Sequence, residues 1–204
     1  MWHNELREAL NCGYKLLSMG CFVYFWTNFK VMTITHAISE DIKELNKLVN
    51  SAYRGDESKK GWTTEAEILD GIRIDEAALE VLLTKPEVVV LKCNDADGKI
   101  IGTVCLEVKA DQLYLGMFAV SPVAQGKGIG KLLMKASEKH AIENKCDRIV
   151  ISVISTRKEL IDWYERHGYV ATGGAIAFED IEGRFGDPKV SAISLIEMQK
   201  MLSA

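Results

Sequence analysis

Proline is scarce in this 204-residue chain: there are three, none of them in the first 31 residues, so no proline-rich linker divides it. Cysteine is too sparse for a disulfide scaffold, since five residues, an odd number, are spread over a long chain. Basic charge is not in excess. Lys and Arg number 25 against 29 Asp and Glu, a net charge of −4, which excludes a nucleic-acid backbone as the main partner. Histidines are few, and His36, His140 and His167 are scattered without metal-ligand spacing, so no metal is expected. No hydrophobic run is long enough to span a bilayer, which takes about 20 residues. What is abundant is apolar surface. A hydrophobic content of 48% excludes disorder, and a chain of this length buries roughly 70% of its unfolded surface.

Aromatic residues are unevenly placed. Of sixteen, seven lie in the first 31 residues: Trp2, Tyr14, Phe22, Tyr24, Phe25, Trp26 and Phe29, with Cys12 and Cys21 beside them. The apolar stretch Leu16 to Trp26 has the length of a signal-peptide core and follows Arg7 and Lys15. Bulky Phe25, Trp26 and Phe29 stand where a cleavage site needs small residues, and Glu5 and Glu8 dilute the basic start. A lipoprotein-type cysteine at Cys21 is poorly prepared by Ser18 and Met19. Export is therefore disfavoured, and a cytoplasmic protein with no membrane partner is expected. Two readings of residues 1–31 stay open: an amphipathic helix docked on the domain or a partner, or a segment upstream of a functional start at Met32. Neither assigns it a catalytic part.

From Met32 the pattern becomes regular. Val31 to His36 favours a strand, and Ser39 reads as a helix cap with Glu40 and Asp41 in the first turn. Ile42, Leu45, Leu48 and Val49 follow at helical spacing. Arg54 to Trp62 reads as an exposed polar loop, Thr63 or Thr64 as a cap for a helical piece, and Asp75 as the start of a helix ended by Pro86. Val88 to Lys92, Ile100 to Val108 and Leu113 to Val120 are strand-like, separated by turn clusters short enough for antiparallel hairpins. A helix over Lys127 to Ala141, a strand over Arg148 to Ser152, a helix over Arg157 to His167, and strands at Gly168–Val170 and Val190–Met198 complete residues 32–204. The fold class is α+β, with an antiparallel front half and one helical crossover behind it.

The sharpest local feature is Val120-Ser121-Pro122-Val123-Ala124-Gln125-Gly126-Lys127-Gly128-Ile129-Gly130-Lys131. A strand ends, three glycines alternate, and a helix begins. Glycines let backbone N–H groups approach a ligand, and a helix start adds unpaired donors and positive partial charge, which suits a pyrophosphate. A nucleotide P-loop is excluded: three residues, not four, precede Gly130-Lys131, and Leu132 stands where Ser or Thr is needed. A dinucleotide fingerprint is excluded by the G-x-G-x-G spacing and by the hairpin strand before it.

The segment resembles the acetyl-CoA signature of the GNAT acetyltransferase superfamily, Q/R-x-x-G-x-G/A, with Gln125, Gly128 and Gly130 at its fixed positions. Trp163-Tyr164-Glu165-Arg166-His167-Gly168-Tyr169 is similar to a second segment of that family. The resemblance implies a mostly antiparallel sheet of six to seven strands, flanked by helices and splayed at an acetyl-CoA site. It implies that Phe118, Ala119 and Val120 offer main-chain groups to the pantetheine arm, and that the amides of Gly126, Lys127, Gly128, Ile129, Gly130 and Lys131 hold the pyrophosphate. Gln125 would buttress the loop, and Tyr164, one turn after Leu160 on the inward face, would be the general acid. Many members have Asn seven residues before that tyrosine; here it is Arg157, open to a CoA phosphate contact or to capping the strand–helix turn.

The resemblance thus implies N-acetyl transfer from acetyl-CoA to a primary amine of a small molecule or peptide, directly within a ternary complex. It also admits a homodimer. A non-catalytic acyl-CoA-binding domain and an interaction arm at residues 1–31 are the competing classes. The general base is not legible, with Glu107 and Glu67 as candidates. Cys93, Cys105 and Cys146 read as packing residues, which disfavours an acyl-cysteine route. Trp62, the loop from Arg54 to Gly61 and the segment Phe178 to Phe185 are expected to border the acceptor.

Overall fold

The computed structural model describes residues 15–19, 22–26, 32–181 and 185–202. The chain divides into two units, Met1–Val31 and Met32–Ala204. In the first, strands β1 (Lys15–Met19) and β2 (Phe22–Trp26) pair antiparallel, with Lys15 opposite Trp26 and Met19 opposite Phe22. These stretches are therefore strands and not the docked helix, in keeping with the β-branched and aromatic run Phe22-Val23-Tyr24-Phe25-Trp26. The readings that rest on Trp2, Glu5, Arg7, Glu8, Cys12, Tyr14, Cys21, Phe29 and Val31 fall outside the described residues.

The second unit begins with β3 (Thr33–His36) and helix α1 (Ile42–Tyr53). Asp41, not Ser39, secures the entry to this helix: its carboxylate accepts from the Ile38 N–H at 2.8 Å. Leu45, Leu48 and Val49 are buried as their spacing requires. Arg54 to Trp62 departs from the exposed loop expected of it. It holds a helical turn, α2 (Gly55–Ser58), and buries Arg54 and Ser58. The helical piece expected after Thr63 is replaced by turns, in which the Thr64 hydroxyl accepts from the Ala66 N–H at 3.0 Å and so competes with a helix. The two-residue strand β4 (Leu69–Asp70) follows. Helix α3 (Glu76–Thr84) starts at Asp75, whose carboxylate accepts from the Ala78 N–H at 2.7 Å.

Strands β5 (Val88–Asn94), β6 (Ile100–Lys109) and β7 (Gln112–Val120) form an antiparallel meander. Helix α4 (Ile129–Glu143) crosses over to β8 (Arg148–Ile154), which lies parallel to β7. Helix α5 (Lys158–Arg166), β9 (Val170–Ala177), β10 (Asp187–Pro188) and β11 (Ser194–Met201) close the chain. The seven-stranded sheet runs β3-β5-β6-β7-β8-β11-β9, every pairing antiparallel except β7–β8. Among the described residues no helix is long and apolar enough to cross a membrane.

Two apolar clusters lie on the two faces of this sheet. Leu45, Val49 and Leu79 of α1 and α3 pack with Val88, Val90, Met117 and Ala119. Ile129, Leu133 and Ala141 of α4, with Tyr164 of α5, pack with Cys93, Leu113, Leu115 and Ile149. Along β7, residues 113 and 115 serve one cluster while 117 and 119 serve the other, against the two-residue period of a strand. A bulge explains the switch. Gly116 pairs with Cys105 but Ala119 with Thr103, so one extra residue sits on β7, and Met117 has φ of +46°. The same bulge turns Phe118 and Val120 toward the α4–α5 side.

At Gly102 of β6 the helix α4 packs tightly on the sheet. A Cβ there would lie 2.8 Å from Ile129 Cγ2 and 3.0 Å from Leu133 Cδ1, both buried atoms. Gly102→Ala is expected to destabilise the protein by about 1–3 kcal/mol, read as a lower urea midpoint at unchanged slope.

Candidate active site

Parallel pairing of β7 and β8 is confined to three residue pairs, from Gln112–Arg148 to Tyr114–Val150. Beyond Tyr114 the strands part, and a cavity of about 650 Å³ fills the opening. Phe118, Ala119 and Val120 line one wall, while Ile151, Ser152 and Val153 of β8 also face it. Strand edges whose N–H and C=O groups lack a neighbouring strand can take an extended ligand as an added half-strand.

The glycine loop borders the same cavity. Gly126 and Gly128 have φ of +78° and +80°, and a Cβ on either meets nothing within 4 Å, so open space faces the backbone. Gly128 precedes α4, which begins at Ile129 rather than at Lys127 because glycine readily takes this left-handed conformation. The Leu132 N–H is bonded to Gly128 O at 3.0 Å, which leaves the N–H groups of Ile129, Gly130 and Lys131 without intrahelical partners. Gly126, Gly128, Ile129, Gly130 and Lys131 line the cavity. The Ile129 side chain is buried in the core, so only its main chain can serve a ligand. Lys127 is exposed and is not among the lining residues.

Gln125 ties the loop to two other segments. Its Nε2 donates to Val120 O at 3.3 Å, and its Oε1 accepts from the Trp62 N–H at 2.9 Å. Gly61 makes that approach feasible, because a Cβ there would stand 2.7 Å from Gln125 Oε1. Trp62 reaches Trp163 with ring centroids 6.4 Å apart, and Trp163 meets Phe118 at 6.0 Å and His167 at 4.1 Å.

Tyr164 lies on the inward face of α5 and lines the cavity, only 5% exposed. Its ring meets Tyr169 edge-on at 5.3 Å. No hydrogen bond from its hydroxyl to a described residue is seen, and the buried hydroxyl left without a partner is that of the adjoining Tyr169. Burial, reinforced by the neighbouring hydroxyls of Tyr53 and Tyr169, pushes its pKa well above the usual tyrosine value. It is a phenol kept neutral in the cavity lining.

Arg157 precedes α5 and is committed elsewhere than to an open phosphate seat. Its Nη1 donates to Glu65 Oε1 at 3.0 Å and its Nη2 to Thr63 Oγ1 at 2.7 Å. The other Glu65 oxygen lies 3.4 Å from Arg54 Nε, and Arg54 Nη1 also donates to Asp70 O and Ile72 O. Arg54, Glu65 and Arg157 are all at least nine-tenths buried, so one carboxylate is shared between two guanidinium groups within the cavity wall. Only Nε of Arg157 stays buried and unbonded.

Residues that sequence reasoning left unassigned line the front of the cavity: Tyr53, Glu65 and Arg73. Tyr53 Oη donates to Phe118 O at 3.2 Å, and burial raises its pKa. Glu107 and Glu67, the expected base candidates, do not line the cavity; they pair with Lys109 and Lys59. Trp62, Arg54, Phe178, Ile181 and Phe185 do line it, while residues 182–184 of the expected acceptor border fall outside the described residues. Cys93, Cys105 and Cys146 are free thiols away from the cavity, and burial, with Glu107 nearby, pushes Cys105 up to about 11. No group of three or more His, Cys, Asp or Glu side chains fit to hold a metal occurs among the described residues.

A family model described as the acetyltransferase (GNAT) family matches residues 42–169. N-alpha-acetyltransferase 30 of Dictyostelium discoideum is 33% identical over 81 residues, 38% of this chain and 42% of that protein. Spermine/spermidine N(1)-acetyltransferase of Bacillus subtilis (strain 168) is 35% identical over 66 residues, 32% of this chain and 43% of that protein. The chain thus spans about two fifths of the length of these curated relatives. Among solved structures, the ribosomal-protein-S18-alanine N-acetyltransferase of Escherichia coli superposes with a TM-score of 0.63 at 14% identity, covering 85% of this chain and 96% of that one.

Removing the shared carboxylate would leave two buried guanidinium groups facing each other. Glu65→Ala is therefore expected to cost about 3–5 kcal/mol of folding stability, measured by urea unfolding.

Proposed function

Since the chain belongs to the acetyltransferase (GNAT) family, we propose that it is an acyltransferase that moves an acetyl group from acetyl-CoA to a primary amine by direct transfer in a ternary complex. The observation that carries this reading is a single cavity bordered by an open glycine loop, an unpaired strand edge and a neutral buried phenol. The residues suit the co-substrate. The N–H groups of Gly126, Gly128, Ile129, Gly130 and Lys131 would hold its pyrophosphate, and Phe118, Ala119 and Val120 its extended arm. Lys127 would contribute charge from the rim.

When bound, acetyl-CoA supplies a thioester carbonyl that an amine can attack. The chain's part is to orient both partners and to manage protons. Tyr164 would hold its hydroxyl proton toward the departing sulfur, as a general acid. Glu65 is the one carboxylate among the described lining residues, and two arginines engage it, so it holds structure rather than removing a proton. Residues 32–204 are taken as the catalytic unit, and free cysteines support a cytoplasmic setting.

Tyr164→Phe is expected to lower turnover about 100-fold while the acetyl-CoA dissociation constant stays unchanged. Because its pKa lies well above 10, the phenol stays protonated as pH rises, so it adds no descending limb to the kcat profile below pH 10. Unchanged turnover of the variant across that range would refute the acid role. Gly128→Ala places a side chain at φ of +80° and is expected to weaken acetyl-CoA binding roughly tenfold, measured by calorimetry. Acetyl-CoA binding without thiol release for any amine would instead favour a non-catalytic domain.

A further inference from the structure

The front of the cavity is charged in one direction. Arg54, Arg73 and Arg157 line it against a single described carboxylate, Glu65. Glu65 is already divided between Arg54 and Arg157. Among the described residues, the Arg73 guanidinium has no carboxylate within ion-pair distance.

Arg73 is also held in place. Its N–H donates to Asn50 Oδ1 at 2.6 Å, and the next carbonyl, Ile74 O, accepts from Asn50 Nδ2 and Asn46 Nδ2, each at 2.9 Å. Ile74 is buried. The guanidinium lies over the Tyr53 ring, 5.4 Å from its centroid. Tyr53 in turn donates to Phe118 O, so one tyrosine side chain separates the cation from the strand edge proposed to hold the acetyl arm. A planar, half-buried cation anchored at its backbone and stacked on a ring is preorganised for bidentate recognition of a carboxylate.

We propose that the amine acceptor carries a carboxylate that docks on Arg73, which makes it a free amino acid or an amino-acid-like amine. This deepens the transferase reading above and rests on it. The lining that attracts an anion repels a polyamine, whose several positive charges would face three arginines around one engaged carboxylate.

The test is thiol release from acetyl-CoA with the common amino acids, their carboxamides, spermidine and short acidic peptides. The best acceptor is expected to be a free amino acid, with its carboxamide about tenfold or more lower in kcat/KM through KM. Arg73→Gln is expected to erase that gap, and Arg73→Lys to restore part of it, with acetyl-CoA affinity constant throughout. A carboxamide, spermidine or peptide that equals or exceeds the free amino acids would overturn the proposal, as would an Arg73→Gln variant that slows acid and carboxamide alike. If no amine is acetylated, the transferase reading fails by itself. The anion seat is then judged by calorimetry of N-acetyl amino acids on the CoA-loaded protein. Binding lost in Arg73→Gln upholds the seat, and equal binding of the N-acetyl carboxamides overturns it.

Discussion

The site depends on one strand pairing that stops early. β7 and β8 hydrogen-bond as parallel neighbours only up to Tyr114 and Val150. The extra residue near Met117 then rotates β7 so that its last residues face the other way. An unbroken pair would have satisfied the backbone and closed the sheet. A parted pair leaves N–H and C=O groups for side chains, a ligand or water to satisfy, and Tyr53 and Gln125 already engage Phe118 O and Val120 O. The glycine loop, α5, and the end of α1 with Arg54 all border that wedge.

How the wedge stays open is also visible. Gln125 links the end of β7 to Trp62, and Tyr53 links Phe118 to α1. Arg157 fastens the start of α5 to Glu65 and Thr63. Three polar side chains from three different segments thus brace a region where sheet hydrogen bonds are missing. Apart from the local Gln125–Val120 bond, each of these bonds joins neighbours in space that lie more than 60 positions apart in sequence.

That contrast explains what could be read from the sequence. The strand–glycine–helix passage and the Trp163–Tyr169 segment are local patterns, and the cavity borders both. The meander, the crossover helix and the amphipathic α1 follow from residue periodicity, with boundaries moved where a glycine or an Asp side chain takes over the cap. Arg54 was legible only as part of a polar stretch, because its burial depends on Glu65 and on the carbonyls of Asp70 and Ile72. Arg157 reads as open to a CoA phosphate or to capping the strand–helix turn until Glu65 is brought beside it. Arg73 and Tyr53 carry no pattern at all, since their significance lies in facing one cavity. The leader's strands β1 and β2 were missed for another reason: a short apolar run fits a helix or a strand equally well, and its aromatic, β-branched residues decide for the strand.

The Glu65–Arg157 ion pair joins residues separated by 92 positions, with most of the sheet encoded between them. Such a contact has to wait for the intervening strands to assemble, because closing so long a loop early has no compensating interactions. It is therefore expected to form late in folding, so that Glu65→Ala would speed unfolding more than it slows refolding. The residues that shape the wedge are in this sense also its time lock: the scaffold can be complete before the site is, and the site can loosen first when the protein begins to unfold.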